Sequence, residues 1–226
     1  MNNYRYENEA GRSMIEMLGV LAIIGVLSVG GIAGYSKAMN KFKTNQVADN
    51  VSMLVANIKT LYAQQNTYTD LNNANAVDMG VVPDELVVKD AQGKYKELIN
   101  AFNGPVFINE ADSTVADDTK AFVIEFTQLS REACITLATN DWGSGYSSGL
   151  IAIEVKGNAT ATAAPTARDE SLDTVYIGSD SAKKDAGDSI AMPGNKTLAV
   201  PMQVTTAASA CNCDKGNTCS ILWKYY

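Results

Sequence analysis

The sequence predicts an α+β protein in which one long N-terminal helix packs on an antiparallel β-sheet head that contains disulfides. Three observations predict this class. An apolar run from Ser13 to Tyr35 continues into helical spacing, and the first proline is Pro83. Short segments that alternate apolar and polar residues follow later in the chain, as in half-buried antiparallel strands. Four cysteines lie behind the apolar run, and this even number indicates two disulfides formed in an oxidising compartment.

The first half of the predicted helix is long enough to cross a membrane. A span needs about 20 mostly apolar residues, and residues 13–35 read SMIEMLGVLAIIGVLSVGGIAGY. Basic residues flank this run on both sides, so the positive-inside rule does not fix its orientation. A cleaved secretory signal is the alternative interpretation. Two features oppose it: the carboxylate of Glu16 near the start of the run, and a helical pattern that continues beyond the expected cleavage point.

The second half of the predicted helix is amphipathic. Its apolar residues recur at spacings of three and four and share one face, which predicts packing on a folded domain; they are Val47, Val51, Leu54, Val55, Ile58, Leu61 and Tyr62. The helix is expected from about Ser13 to Gln65. Glycines interrupt the apolar half at positions 19, 25, 30, 31 and 34. Each costs about 1 kcal/mol in a helix in water, whereas small residues allow close helix packing in a membrane or bundle.

Glu16 presents a physical problem for this apolar helix. An unpaired carboxylate in an apolar medium costs several kcal/mol, so it requires a partner. The apolar run itself contains no basic residue.

The elements of the head follow from local patterns. A polar loop is expected over Gln64–Asn75, a short helix over residues 94–102 (KYKELINAF) and a turn at residues 103–105 (NGP). A second helix is expected in QLSREACITLAT, with Ser130 as its cap and Glu132 in its first turn. Strands are expected in VFIN from 106, AFVIEFT from 121, LIAIEV from 150, TVYIG from 174, LAVPMQV from 198 and the C-terminal SILWKYY.

Two low-complexity segments, residues 157–167 and 179–189, predict exposed loops. The second contains Asp180, Asp185 and Asp188, which raises the alternative of a calcium loop. Their spacing does not match an EF-hand, so a solvated loop is favoured and no metal is expected.

Composition excludes several classes of function. The chain of 226 residues has no histidine, which removes Ser-His-Asp triads, Cys-His dyads and imidazole metal ligands. We therefore expect no enzyme, no catalytic residue and no cofactor. The net charge of −7 and the pI near 4.6 argue against nucleic acid as a partner.

The N-terminal motif resembles that of the type IV pilins. Gly11 is followed by RSMIEMLGVLAIIGVLS, and Glu16 is the fifth residue counted from Arg12. The resemblance implies a leader over 1–11, a transmembrane and filament-core helix over 12–35, its amphipathic continuation over 36–65 and a pilin head over 66–226. It also implies that a prepilin peptidase cleaves between Gly11 and Arg12 and methylates the new amine of Arg12. The first mature residue is usually apolar in this family, and here it is arginine.

The same resemblance supplies a partner for Glu16. In pilins this glutamate is taken to face the N-terminal amine of a neighbouring subunit in the filament core. Glu16 would thus meet the amine of Arg12 on another copy. Such a pair suits a registry role, because a slip of one residue leaves both charges unpaired in an apolar medium.

Two weaker patches resemble the type IVb branch, which includes toxin-coregulated and bundle-forming pilins and conjugative thin pili. These are VVPDEL…NAFNGPVFI and FTQLSREACITLA. In that branch the cysteine of the second patch is tied to one near the C-terminus, so the resemblance favours Cys134–Cys211, which leaves Cys213–Cys219. The competing pairing is Cys134–Cys219 with Cys211–Cys213, which requires a distorted ring.

The sequence interpretation is therefore a structural subunit that polymerises with itself into an extracellular filament for adhesion, aggregation or conjugative contact. Its other expected partners are the prepilin peptidase, the inner-membrane assembly machinery and, before assembly, the bacterial inner membrane. A minor pilin or a type II secretion pseudopilin shares the motif and stays open. A membrane-anchored extracytoplasmic binding protein is the alternative from another class.

Overall fold

The predicted long helix is present. It contributes residues to both of the compact units into which the chain divides. The computed structural model describes residues 9–113, 119–143, 148–157, 175–177, 201–213 and 218–226, without the side chains of 9–13 and 175–177. Helix α1 spans Glu9–Leu61. The two units are Met1–Phe42 and Lys43–Tyr226. The predicted helix is confirmed, although it begins before Ser13 and ends before Gln65.

The head after α1 is built from short helices and antiparallel strands. In chain order these are α2 (Asn73–Asp78), a 3₁₀ turn (Asp84–Leu86), β1 (Val87–Lys89), β2 (Tyr95–Leu98), β3 (Val106–Ala111), β4 (Ala121–Leu129), α3 (Arg131–Thr139), β5 (Leu150–Lys156), β6 (Val175–Ile177), α4 (Val204–Ala210) and β7 (Cys219–Tyr225). β1 and β2 form a hairpin, and the other strands form one sheet in the order β3-β4-β7-β5-β6. All neighbouring strands are antiparallel, which confirms the predicted α+β class.

One face of the sheet and the second half of α1 share a hydrophobic core. Val47, Val51, Leu54 and Ile58 have no exposed surface, as their helical spacing predicts. They belong to the same cluster as alternate side chains of the central strands, which include Phe122, Phe126, Trp223 and Tyr225. Leu61, which the pattern also placed on this face, is 45% exposed because the helix ends there.

The helix predicted over residues 94–102 is wrong. Residues 95–98 form β2, which pairs with β1 through Val87 and Leu98. The turn between them sets this outcome. The Asp90 carboxylate accepts the backbone N–H groups of Gln92 and Lys94, at 2.9 and 2.8 Å. Gly93 has a φ of 78°, which the turn requires, so the hairpin overrides the local helix propensity.

The strand predicted from residue 198 is also wrong where the structure describes it. Residues 201–203 form no strand, and α4 begins at Val204. Its sequence, VTTAASA, is short and rich in small residues, and α4 packs beside α3. Residues 198–200 lie outside the described part of the chain.

Other local predictions have mixed outcomes. The Ser130 cap is confirmed, since its hydroxyl accepts the Ala133 N–H at 3.2 Å. The expected loop over Gln64–Asn75 instead runs into α2, which Asn72 caps. β6 confirms the strand near residue 174 for Val175–Ile177. The two low-complexity loops, including the three aspartates of 179–189, lie outside the described residues apart from Gly157.

Candidate functional site

The apolar half of α1 exposes its side chains on every face. Each residue from Met14 to Ala38 is exposed, and Val26 reaches 76%. The helix has a mean hydropathy of 2.2 over its most apolar window and is long enough to cross a membrane. Exposed apolar surface on this scale marks a site that another molecule or a bilayer covers.

The glycines of this segment have no packing role within the described chain. A Cβ built at any of them meets no atom within 4 Å; they are Gly19, Gly25, Gly30, Gly31 and Gly34. Each of these glycines weakens the helix by about 1 kcal/mol relative to alanine in water. Small residues of this kind allow a neighbouring helix to approach closely in a membrane or a bundle.

The residues of the predicted processing and assembly motif lie at the start of the same helix. Gly11 and Arg12 have helical backbone, and Glu16 follows Arg12 by about one turn. Glu16 is exposed among apolar side chains such as Ile15 and Val20. A single chain brings Glu16 to no second subunit, so its proposed intersubunit pairing stays a prediction.

The four cysteines lie together at one end of the head. Cys134, on α3, is bonded to Cys211 at the end of α4, with their Cα atoms 5.9 Å apart. Cys213 is bonded to Cys219 at the start of β7, with a Cα separation of 5.4 Å. We refer to these bonds as the long disulfide and the short disulfide, because 77 and 6 residues separate their partners in sequence. The competing pairing is not present in the structure.

Aromatic contacts fix the last strand in the sheet. The Phe122 and Tyr225 rings stack at 5.8 Å, and Trp142 meets Trp223 edge-on at 5.0 Å. Lys59 Nζ lies 4.9 Å from the centre of the Tyr225 ring. Burial raises the pKa of the Tyr225 phenol well above its usual value of 10.0. These contacts hold β7 in the sheet and against the second half of α1.

Asparagine side chains that the sequence reasoning did not single out organise the entry to β3. The Asn73 carbonyl oxygen accepts the Ile108 N–H at 2.6 Å, and its amide donates to the Val106 carbonyl at 2.9 Å. Asn100 is buried and makes three such bonds at the NGP turn. The polar composition of both segments signalled only loops, since a capping asparagine and a solvated one have the same local sequence pattern.

Two buried carboxylates on the outer face of the sheet also escaped prediction. Glu125 on β4 and Glu154 on β5 are both register partners of Leu222 on the intervening β7. They are 3% and 1% exposed. Lys156 Nζ lies 3.9 Å from a Glu154 carboxylate oxygen. Strand alternation puts both glutamates on the face opposite the main core, but alternation does not reveal whether that face is covered.

The chain is similar in sequence to one protein family and to two curated relatives. A model of the family described as PilS N terminal matches residues 41–180. Two curated relatives, from Escherichia coli O111:H- and Escherichia coli O127:H6 (strain E2348/69 / EPEC), are each named major structural subunit of bundle-forming pilus. Each is 26% identical to this chain over 159 residues, which cover 70% of this chain and 78% of the relative.

Two solved structures are also similar to the chain. A type IV b pilin from Salmonella typhi is 13% identical with a TM-score of 0.43, covering 76% of this chain and 93% of that one. TcpA, a type IV pilin from Vibrio cholerae El Tor biotype, is 17% identical with a TM-score of 0.43, covering 83% and 99%. The family match spans more than half of the sequence, and the chain therefore belongs to the PilS N-terminal family of type IV pilins.

Proposed function

We propose that the chain is the major structural subunit of a type IV pilus and that it polymerises through the apolar half of α1. The observation that carries this proposal is the apolar surface of residues 14–35, which no described part of the chain covers. Before assembly the inner membrane covers it, and in the filament the helices of neighbouring subunits do. The curated relatives are named as major structural subunits, which supports the choice of a major pilin.

Processing precedes assembly in this proposal. A prepilin peptidase removes residues 1–11 by cleavage between Gly11 and Arg12 and methylates the amine of Arg12. The mature chain then consists of the filament-core helix 12–35, its amphipathic continuation 36–65 and the head 66–226. The inner-membrane assembly machinery extracts this form from the membrane and adds it to the extracellular filament. The motif around Gly11 and Glu16 supports each step by resemblance.

Glu16 acts as the registry group of the filament core. Its carboxylate pairs with the amine of Arg12 on an adjacent subunit, where the low dielectric makes the attraction strong and an unpaired charge costly. The guanidinium of Arg12 provides a second donor near the same carboxylate, which is the consequence of having arginine at the first mature position.

The N-terminus of the protein isolated from the membrane tests processing. Intact mass and the N-terminal peptide should show a chain that begins at Arg12 with one methyl group on its amine. A chain cleaved near Gly34, or one that keeps residues 1–11, contradicts the proposed processing and reduces the segment to a signal or an anchor.

Replacement of Glu16 tests assembly separately from processing. Glu16→Ala should be cleaved normally and accumulate in the inner membrane, with sheared filaments reduced by about tenfold or more, as expected for a lost charge pair worth at least 1.4 kcal/mol per added subunit. Glu85→Ala removes an exposed carboxylate from the head and is the matched control, with normal filaments expected. Normal piliation of Glu16→Ala contradicts the registry role.

A further inference from the structure

The two disulfides of the head are in contact range of each other. The Sγ atoms of Cys134, Cys211 and Cys219 all lie within 4.8 Å of one another, although Cys219 belongs to the short disulfide. Such a distance can be closed by side-chain rotation. A thiolate attacks a neighbouring disulfide sulfur and forms a mixed disulfide, so the rate depends on access to that sulfur. A free Cys219 thiolate would therefore lie within 4.8 Å of both sulfur atoms of the long disulfide.

Solvent access differs between the four sulfur-bearing residues. Cys134, Cys211 and Cys219 have no exposed surface, and Cys213 retains 6%. We take Cys213, the one of the four that keeps exposed surface, as the entry point for an external thiol. Attack on its sulfur makes Cys219 the leaving group, and the released thiolate remains inside the cluster beside the long disulfide.

We propose that Cys219 is an internal exchange thiol, which connects the buried long disulfide to thiols in the surrounding medium. This site is independent of the proposed pilus assembly, because it uses only the head. Its external reactant is a small thiol such as glutathione or the active-site thiol of a disulfide oxidoreductase.

The exchange is balanced in two steps. An external thiolate attacks Cys213 Sγ, the short disulfide breaks, and the products are a mixed disulfide on Cys213 and a Cys219 thiolate. Cys219 then attacks the long disulfide at Cys134, which forms Cys134–Cys219 and releases the Cys211 thiolate; attack at Cys211 instead forms Cys211–Cys219 and releases Cys134. The reverse steps restore the original pairing and release the external thiol, so no net oxidant is needed.

The same steps provide a route for correcting disulfide pairing during folding. A head that first joins Cys134 to Cys219 is converted to the long disulfide when the Cys211 thiolate attacks Cys134. The Cys213 thiolate attacks an external disulfide such as oxidised glutathione, which forms a mixed disulfide on Cys213 and releases one external thiol. The leaving Cys219 thiolate then attacks this mixed disulfide at Cys213, which closes the short disulfide and releases the second external thiol. Cys213 does not replace Cys219 in this role, because its sulfur is outside the group of three and lies 3.9 Å from the Cys211 carbonyl oxygen.

Two matched variants of the full chain in detergent, each lacking one cysteine, test whether Cys219 and not Cys213 exchanges with the long disulfide. Cys213→Ser leaves Cys219 as the odd thiol, and Cys219→Ser leaves Cys213. After alkylation of free thiols and trypsin digestion, Lys215 separates the Cys211 peptide from the Cys219 peptide, so the pairings of Cys213→Ser differ in mass. In Cys219→Ser, Cys211 and Cys213 share one peptide, and its fragmentation shows which of the two is alkylated. Cys213→Ser should give a mixture that contains Cys219-linked isomers, whereas Cys219→Ser should give Cys134–Cys211 alone. A single unchanged disulfide in both variants overturns the proposal.

Limited reduction of the unaltered protein gives a test that does not depend on variant folding. Brief treatment with glutathione, acid quenching and tandem mass spectrometry should place the first glutathione on Cys213 and reveal Cys134–Cys219 or Cys211–Cys219 linkages. First modification of Cys134 or Cys211, with Cys213–Cys219 intact, shows that the long disulfide is reached directly and overturns the relay.

Discussion

The side chain of Asn100 is predicted to hold the turn that leads into β3, and its removal should destabilise the head substantially. Its amide donates to the Thr127 carbonyl at 2.8 Å, and its carbonyl oxygen accepts the N–H groups of Phe102 and Gly104 at 2.8 and 3.2 Å. The residue is only 4% exposed, so water does not replace these bonds without local opening. The bond to Thr127 joins the turn to β4, which pairs with β3, and the other two bonds close the turn itself.

The magnitude follows from the number of bonds. A hydrogen bond contributes about 1 kcal/mol net, and a buried group left unpaired adds to the loss. Asn100→Ala should therefore lower the free energy of unfolding by about 3 kcal/mol. For a unit of this size, 1 kcal/mol shifts the Tm by about 2–4 °C, so a decrease of about 6–12 °C is expected.

Tryptophan fluorescence during thermal unfolding measures this effect selectively. The chain has two tryptophans, Trp142 and Trp223, and both pack in the head. Asn66→Ala is the matched control, because Asn66 is exposed and should change the Tm by less than about 2 °C, which corresponds to the usual limit of 0.5 kcal/mol for surface changes.

A same-size variant separates hydrogen bonding from cavity formation. Asn100→Asp keeps both acceptor bonds but places a carboxylate oxygen opposite the Thr127 carbonyl. It should be destabilised at neutral pH and recover stability below about pH 4–5, where the new carboxyl is protonated and donates again. A loss below about 1 kcal/mol for Asn100→Ala, or equal to that of Asn66→Ala, would refute the role assigned to this side chain.

Three further predictions concern the same head. Gly104→Ala should unfold or severely destabilise it, measured by the same fluorescence transition, because the added Cβ overlaps the Thr127 carbonyl oxygen; a Tm within 2 °C of the unaltered protein, roughly 0.5–1 kcal/mol, contradicts this overlap. Loss of the long disulfide in Cys134→Ser/Cys211→Ser should cost about 4 kcal/mol, about twice the loss from removing the short disulfide, since the longer loop restricts the unfolded chain more; equal losses in urea unfolding argue against loop entropy. Stability should be fully present below pH 10 and fall above it, because the unfolded chain ionises Tyr225 at its usual pKa while burial raises that pKa in the folded head. A urea midpoint that is unchanged between pH 9 and 11 contradicts this assignment.

Hydrophobic periodicity predicted the helices and strands that keep the same face buried along their whole length. The buried positions of α1 from Val47 to Ile58 and the alternating strands β3, β4, β5 and β7 are of this kind. Residues 95–98 were assigned wrongly because a hairpin turn, stabilised by the Asp90 side chain, decides between two local patterns of similar strength. Tertiary pairing outweighs helix propensity in such short segments.

The same distinction applies to the candidate functional residues. Those in a contiguous motif were predictable, and those brought together by the fold were not. Gly11 and Glu16 are recognisable because the motif is contiguous along one helix. The proximity of Cys219 to the long disulfide was not predictable, since it depends on how α3, α4 and β7 meet at one end of the head. The burial of Glu125 and Glu154 was equally hidden, because their strand positions fit a solvated face.

The strand order shows that β7 joins the two halves of the sheet. β4 and β5 do not pair with each other, and each pairs with β7 between them. Without β7 the sheet separates into the pairs β3-β4 and β5-β6, and the core loses Trp223 and Tyr225. The short disulfide anchors the start of β7 and the long disulfide joins the adjacent chain to α3. The sheet of the head is therefore complete only once β7 has paired with both β4 and β5.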